Sequence, residues 1–352
     1  MRVEHRNHFD LVRLLTAWSV IVAHHFPITG ATAPGWLSNQ WLHWAWLGGV
    51  AVMTFFVISG YLVTLSWRRE PRLLPFMWKR VLRLWPALFV SVLACVFVFG
   101  LAFTSLPTHE FLASRGVRAF AANLSLLKAE TGLPGVFTGQ PVPEAINGPY
   151  WTIPLEFLCY CALALAGVLG LLKHRTWGSL ACGGYMLWYL LFRNEDISGE
   201  IQLWPMYTAY FAAGALIALN AGWFHRHVRK ILALLLPLCL AAYFFTPYLA
   251  TARFLLWPAL IIALGSIPAR SDWLRRWGDP SYGVYLYGFP IAQSVTMLWP
   301  GLPFTANLAI SITAATAMGV LSWKYIESKA LRFKDRFSPA PLQLGGAQPH
   351  FQ

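Results

Sequence analysis

Apolar residues along this chain gather into runs of about twenty, the length a helix needs to cross the hydrocarbon core of a bilayer, with polar residues collected between them. Ten runs can be drawn, at residues 11–28, 46–67, 84–104, 151–172, 177–192, 203–219, 231–245, 252–267, 282–299 and 304–325. The pattern predicts an all-α polytopic membrane protein of about ten transmembrane helices, and an even count returns the C-terminus to the side of the N-terminus. Residues 1–10 are polar and mildly basic, and the run that follows lacks a small-residue cleavage site, so it reads as an uncleaved first span. Two segments between and beyond the runs stand out. Residues 105–150 form a Pro- and Gly-containing connection longer than joining two helices requires, which suggests a lid or binding surface. Residues 338–352 are rich in Pro, Gln and Gly and read as a disordered cytoplasmic tail. Residues 9–333 then make one integral membrane domain.

Composition agrees with the pattern. With 57% hydrophobic and 12% charged residues, a chain of 352 residues has too little polar surface to cover a soluble globule. The five cysteines all fall in apolar stretches and suggest buried small hydrophobes rather than a disulfide framework or a metal site. The net charge of +13 is explained by topology. If the N-terminus is cytoplasmic, every basic residue except Arg115, Arg118, Lys128, Arg193 and Arg253 falls on the cytoplasmic side, as the positive-inside rule requires. Both termini are therefore expected in the cytoplasm, and no nucleic-acid partner is needed to account for the charge.

Chemistry must come from polar residues at membrane depth, where an ionisable group is costly and usually faces protein or a water-filled cavity. The first run contains His24 and His25, with Arg13 near its start. Arg13 and His24 are eleven residues apart, three helical turns plus about 20°, so they share a face at a separation of roughly 16 Å. An imidazole there is a candidate general base, and a satisfied core histidine beside a topology arginine is the plain alternative. Ser59 and Gly60 interrupt a bulky helix, as close helix packing alone would also ask. Arg80 and Arg83 lie one turn apart, suited to gripping phosphates or contacting anionic lipid. Glu156 enters the fourth run just after Trp151, with Tyr160 one turn later on the same face, placed either to steady an imidazole or to bond a neighbouring helix. The stretch SYGVYLYGFP at 281–290, containing Tyr285, and Ile326-Glu327 complete the polar features of the last two runs.

Taken in order, these residues resemble the acyltransferase-3 family of integral membrane acyltransferases. The resemblance rests on Arg13 and His24 with ten residues between them, FFVISGYL at 55–62, Arg80, Arg83 and Pro86, WTIPLE with Trp151 and Glu156, SYGVYLYGFP at 281–290, and Ile326-Glu327, and it covers about 9–333. It implies a ten-helix core in the bacterial inner membrane that takes an acyl group, usually acetyl, from cytoplasmic acetyl-CoA and passes it to a hydroxyl of an extracytoplasmic glycan such as O-antigen or exopolysaccharide. Acetyl-CoA enters as a substrate; no permanently bound cofactor and no metal are implied. By resemblance His24 is the catalytic residue, either as the base that deprotonates the acceptor hydroxyl or as carrier of a transient acyl-imidazole, and Glu156 is the candidate catalytic partner read from its own position. Arg13, Arg80 and Arg83 face the acyl donor, and Ser59, Trp151, Tyr160 and Tyr285 line the substrate path. A homo-oligomer embedded among membrane lipids is compatible with this reading. Two positions depart from the family pattern: Gly288 stands where many members carry His, and Ser328 follows Glu327 where Pro is frequent. The chain is also expected to act without the soluble esterase domain that some relatives carry. The rival class is a polytopic transporter or flippase of a glycan or small molecule, since charged groups in a helical bundle also mark transport pathways.

Overall fold

Inside a bilayer a chain has no water to bond its backbone, so each long apolar run closes its own N–H and C=O groups as a helix. A computed structural model describes residues 7–35, 37, 46–192, 200–244, 246–269 and 278–338. Among these, ten long helices follow one another: α1 (Phe9–Thr29), α2 (Leu47–Arg69), α3 (Leu73–Ala94), α4 (Thr152–Val168), α5 (Arg175–Phe192), α6 (Glu200–Leu219), α7 (Ala221–Phe244), α8 (Thr246–Gly265), α9 (Ser281–Leu298) and α10 (Phe304–Ser322). Helix α3 runs on through a π-helical stretch, Cys95–Gly100, to Phe103, and α10 continues through Trp323–Glu327 to a last turn at Leu331–Phe333. Six of these continuous rods are long and apolar enough to cross a membrane: Phe9–Thr29, Leu47–Arg69, Leu73–Phe103, Gly148–Val168, Ala221–Phe244 and Phe304–Phe333. The protein is an all-α polytopic membrane protein.

The helices begin earlier than their apolar runs where a basic face precedes the hydrophobic one. Helix α3 starts at Leu73 rather than at residue 84, so Lys79, Arg80 and Arg83 lie within it. Helix α7 starts at Ala221 rather than 231 and carries Arg226, Arg229 and Lys230 in its first turns. Arg and Lys are good helix formers, and a hydropathy window discards them. Of the basic residues behind the topology argument, Arg2, Arg6, Arg193, Arg270, Arg275 and Arg276 lie outside the described residues, as does the expected tail beyond Ser338.

Burial sorts the helices into an inner and an outer set. Helix α9 buries an unbroken series from Gly283 to Val295, and α2 buries most of its length. Helix α9 can therefore carry Tyr, Ser and Gln and still sit within a membrane bundle. Helices α5 and α7 bury very little and present Leu180, Leu187, Trp188, Leu191, Leu234, Leu238 and Leu240 outward, as lipid-facing helices do. Helix α2 packs against α1 and α6, and α9 against α1 and α10. The α2–α6 contact is close because both helices present glycine: a Cβ at Gly60 would stand 2.0 Å from the Phe211 carbonyl oxygen, and one at Gly214 would stand 2.1 Å from that of Val57. Without a hydrophobic driving force between helices in lipid, such backbone approach supplies the packing.

The 105–150 connection is folded. Its short helices Thr108–Ala113 and Arg115–Ala121 and two isolated bridges, Thr104 to Val136 and Gly132 to Ala145, enclose Phe111, Phe120, Leu133, Val136, Phe137 and Ile146 as a core of its own. Side chains fasten it to the bundle at α9, Tyr285 through the Pro149 carbonyl at 2.7 Å among them. Asn147 Nδ2 donates to the Leu286 carbonyl at 2.7 Å, and Gln293 Nε2 donates to the carbonyls of Val142 and Ala145 at 2.7 and 3.2 Å.

Replacing Gly214 by Leu forces the α2–α6 backbones apart, at a cost of about 1–3 kcal/mol for overpacking. The thermal unfolding midpoint of the detergent-solubilised protein is expected to fall by several degrees, and an unchanged midpoint would contradict the close α2–α6 contact.

Candidate active site

The Lys and Arg residues of α1, α3 and the chain after α10 converge on one end of the bundle, where a cavity of about 500 Å³ opens between α1, α2, α3, α4 and α9. Asp10, Arg13, Lys79 and Lys334 stand at its mouth; Val52, Phe55, Phe56, Thr152, Ile153 and Tyr285 form its inner end. The wall thus changes from charged to apolar along a path inside the bundle.

The charged layer is built around a carboxylate. Arg83 Nη2 donates to Asp279 Oδ2 at 2.6 Å, Arg13 Nη1 donates to the same oxygen at 3.1 Å, and Arg83 Nη1 reaches Glu327 Oε2 at 3.2 Å. Asp279 is held in turn by Ser281, whose hydroxyl and backbone N–H donate to Oδ1 at 2.5 and 3.3 Å, and Glu327 by the Ser322 hydroxyl at 2.9 Å. Burial on its own would raise the pKa of Asp279, but the two guanidinium groups and the Ser281 bonds outweigh it and hold the carboxyl below its ordinary value. Asp279 is therefore ionised at neutral pH. Lys79 is engaged as well, at 2.6 Å from Glu70 Oε2.

Arg80 differs from Arg13 and Arg83. Among the described residues no carboxylate lies within ion-pair distance of it, and its buried Nε has no hydrogen-bond partner. Its guanidinium carbon sits 5.7 Å from the ring centre of Phe76 and 5.9 Å from that of Tyr160. A cation on the cavity wall with aromatic faces as its neighbours keeps its hydrogen-bonding capacity for an anion entering the cavity. Beside it, Glu156 Oε1 accepts from the hydroxyls of Tyr160 and of Ser59, the latter at 3.1 Å, and the two hydroxyls lie 3.0 Å apart. Helix periodicity puts Glu156 and Tyr160 one turn apart on α4, and α2 brings Ser59 to them.

His24 lies on the far side of Tyr285. It lines two small chambers of about 10 and 30 Å³, one with Pro149, Gly288 and Phe289, the other with Trp46, Trp151 and Tyr207. Its Nδ1 is 2.9 Å from the Val20 carbonyl oxygen, which can only accept, so Nδ1 carries the proton and Nε2 is the free base of the ring. Aromatic rings flank the imidazole, Trp46 at 4.9 Å and Phe289 at 5.5 Å, both nearly perpendicular to it. His25 points elsewhere: it is fully buried against the Phe304 ring at 5.0 Å and lines none of these three cavities.

The structure thus gathers Arg13, Ser59, Arg80, Arg83, Glu156, Tyr160 and Tyr285 around one cavity, and sets Trp151 beside His24. Glu156 bonds Ser59 and Tyr160, and no hydrogen bond joins it to His24. Gly288 has a steric cause, because a Cβ there would stand 2.6 Å from Ile21 Cγ1, where α9 crosses α1. Asp279 was not anticipated, since it precedes the ninth apolar run; its signal was the need of several buried arginines for a counter-charge in a chain with only 14 acidic residues. Trp46 and Tyr207 carried no sequence signal beyond being aromatic, and Phe289 entered only as part of SYGVYLYGFP at 281–290.

An acyltransferase domain model, that of the acyltransferase-3 family, matches residues 6–324. The chain is similar to an O-acetyl transferase of Shigella phage Sf6, 29% identical over 350 residues that cover 95% of this chain and 97% of the relative. It is similar also to nodulation protein 10 of Rhizobium leguminosarum bv. viciae, 25% identical over 357 residues and 94% of each chain. No solved structure matches it. With the family model spanning nearly the whole chain, over an apolar helical bundle, the protein belongs to the acyltransferase-3 family and is an integral membrane acyltransferase.

Proposed function

We propose that the protein is an O-acetyltransferase of the bacterial cytoplasmic membrane that takes acetyl from acyl-CoA at its basic end and transfers it to a hydroxyl of a glycan presented at the opposite end. The observation that carries this reading is the cavity that begins among cations, turns apolar and stops one side chain short of His24. Acyl-CoA is itself graded in this way, with phosphates at one end and a thioester at the other, and Lys- and Arg-rich ends of membrane proteins face the cytoplasm, where acyl-CoA is made. The separation of Arg13 from His24, on the order of 16 Å along α1, is one that an extended pantetheine arm spans. The name of the Shigella phage Sf6 relative points to acetyl and to an oxygen acceptor.

Arg80 meets the donor phosphates, and Arg83 and Arg13, oriented by Asp279 and Glu327, complete the cationic collar. His24 Nε2 removes the proton from the acceptor hydroxyl as its oxygen attacks the thioester carbonyl. The C–S bond breaks, an ester C–O bond forms, and the imidazolium returns the proton to the departing sulfur, leaving free CoA and neutral His24. The Nδ1 bond to Val20 keeps the ring in the tautomer this step needs.

Transfer of radiolabelled acetyl from acetyl-CoA into the glycan fraction of membranes is expected to fall about 10²–10⁴-fold in His24→Ala, the usual worth of a general base; label incorporation near the wild-type rate would sink the assignment. Arg80→Ala is expected to raise KM for acetyl-CoA about 10- to 100-fold with a smaller change in kcat, as loss of charge-assisted bonds to phosphate does, and to leave thermal stability near wild type. Asp279→Ala removes the shared partner of two buried guanidinium groups, costs about 3–5 kcal/mol, and is expected to lower the unfolding midpoint as well as activity. The opposite pattern, a destabilised Arg80 variant and a stable Asp279 one, would reverse the roles given to these residues.

A further inference from the structure

Tyr285 is the side chain, among the described residues, that lines the large cavity and both chambers around His24. Its ring borders the apolar inner end of the donor cavity, made by Phe55, Phe56, Thr152 and Ile153 together with Val52, which also lines the 30 Å³ chamber. It also borders the voids of about 10 and 30 Å³, room for a water molecule or so and too little for an alkyl chain. The ring is fixed in this position. Its hydroxyl donates to the Pro149 carbonyl at 2.7 Å and accepts from Thr152 Oγ1 at 2.6 Å, and the Phe55 ring meets it edge-on at 5.8 Å. Pro149 and Thr152 flank the start of α4, so the latch joins α9 to the point where the folded 105–150 connection enters the bundle.

We infer that Tyr285 determines acyl-chain length: its phenol ring is the wall against which the terminal methyl of the acyl group stops, and this stop sets the thioester carbonyl in register with His24. The inference rests on the donor reading given above. With acetyl, the carbonyl lies one methyl group from the wall. Each further methylene pushes the carbonyl back toward the cationic mouth, away from His24, and a misplacement of about 1 Å is enough to cost on the order of 10²-fold in rate. The hydroxyl does not touch the acyl group in this arrangement; it holds the ring still. Removing the ring joins the cavity to the voids behind it, so a longer chain runs past α9 and its carbonyl returns to register, while acetyl loses its stop.

The test compares radiolabel incorporated from acetyl-, butyryl- and hexanoyl-CoA into the glycan fraction of membranes containing the wild type, Tyr285→Ala, Tyr285→Leu or Tyr285→Phe. The butyryl-to-acetyl ratio is expected to rise at least about tenfold in Tyr285→Ala and by less in Tyr285→Leu, the range that methylene-scale discrimination in an apolar pocket covers. Tyr285→Phe keeps the wall and is expected to keep the wild-type ratio, whatever it does to the absolute rate. The inference is overturned if neither truncation gains on butyryl-CoA relative to acetyl-CoA, or if Tyr285→Phe shifts the ratio as far as Tyr285→Ala. Failure of the wild type to transfer label from any acyl-CoA would instead overturn the donor reading, and the two failures are told apart by that control.

Discussion

Charge compensation at Asp279 is the constraint on which the rest of the site depends. Two guanidinium groups from helices far apart in sequence, Arg13 on α1 and Arg83 on α3, meet on one carboxylate oxygen at the start of α9, and Arg83 extends to Glu327 beyond α10. Charges removed from water cost several kcal/mol each unless they are paired and hydrogen-bonded, so this cluster holds only in one arrangement of four helical segments. It therefore sets the mutual register of α1, α3, α9 and the continuation of α10 at the basic end. Ser281 completes four hydrogen bonds to Asp279, two at each oxygen, and Ser322 holds the second oxygen of Glu327.

Arg13 and Arg83 are engaged by Asp279 and Glu327, whereas Arg80 has aromatic faces close by and no carboxylate within ion-pair distance among the described residues. One pair of arginines builds the frame and another arginine keeps its capacity for a ligand. The next layer inward, Ser59, Glu156 and Tyr160, is closed by hydrogen bonds among its own members, a polar belt between the charged mouth and the apolar end. The lining thus passes from charged through polar to apolar, the gradient on which the proposed donor reading rests.

Separation of this cavity from His24 follows from packing at the opposite side of Tyr285. The imidazole sits between Trp46 and Phe289, with α9 drawn against α1 at Gly288 and Ile21. A ring so enclosed and tethered through Nδ1 to Val20 has one orientation. The folded 105–150 connection contributes by fixing Pro149 and Asn147 against α9, so the element that looks like a loop in sequence closes the inner end of the site.

Much of this was legible in the residues themselves. The apolar runs dictated ten helices, since backbone groups in lipid have no alternative, and the shared face of Arg13 and His24 follows from helical periodicity. The same holds for Arg80 beside Arg83 and for Glu156 beside Tyr160, pairs set by local spacing. What crosses between helices was not legible: that Asp279 is the common partner of Arg13 and Arg83, that Arg80 alone of the three arginines is left without a carboxylate, that Glu156 bonds Ser59 and not His24, and that Tyr285 stands between cavity and imidazole. Periodicity orders side chains around one helix axis, whereas rotation and depth of one helix against another are decided by close contacts such as Gly60 on Phe211 and Gly288 on Ile21, and by where buried charges find their counter-charges.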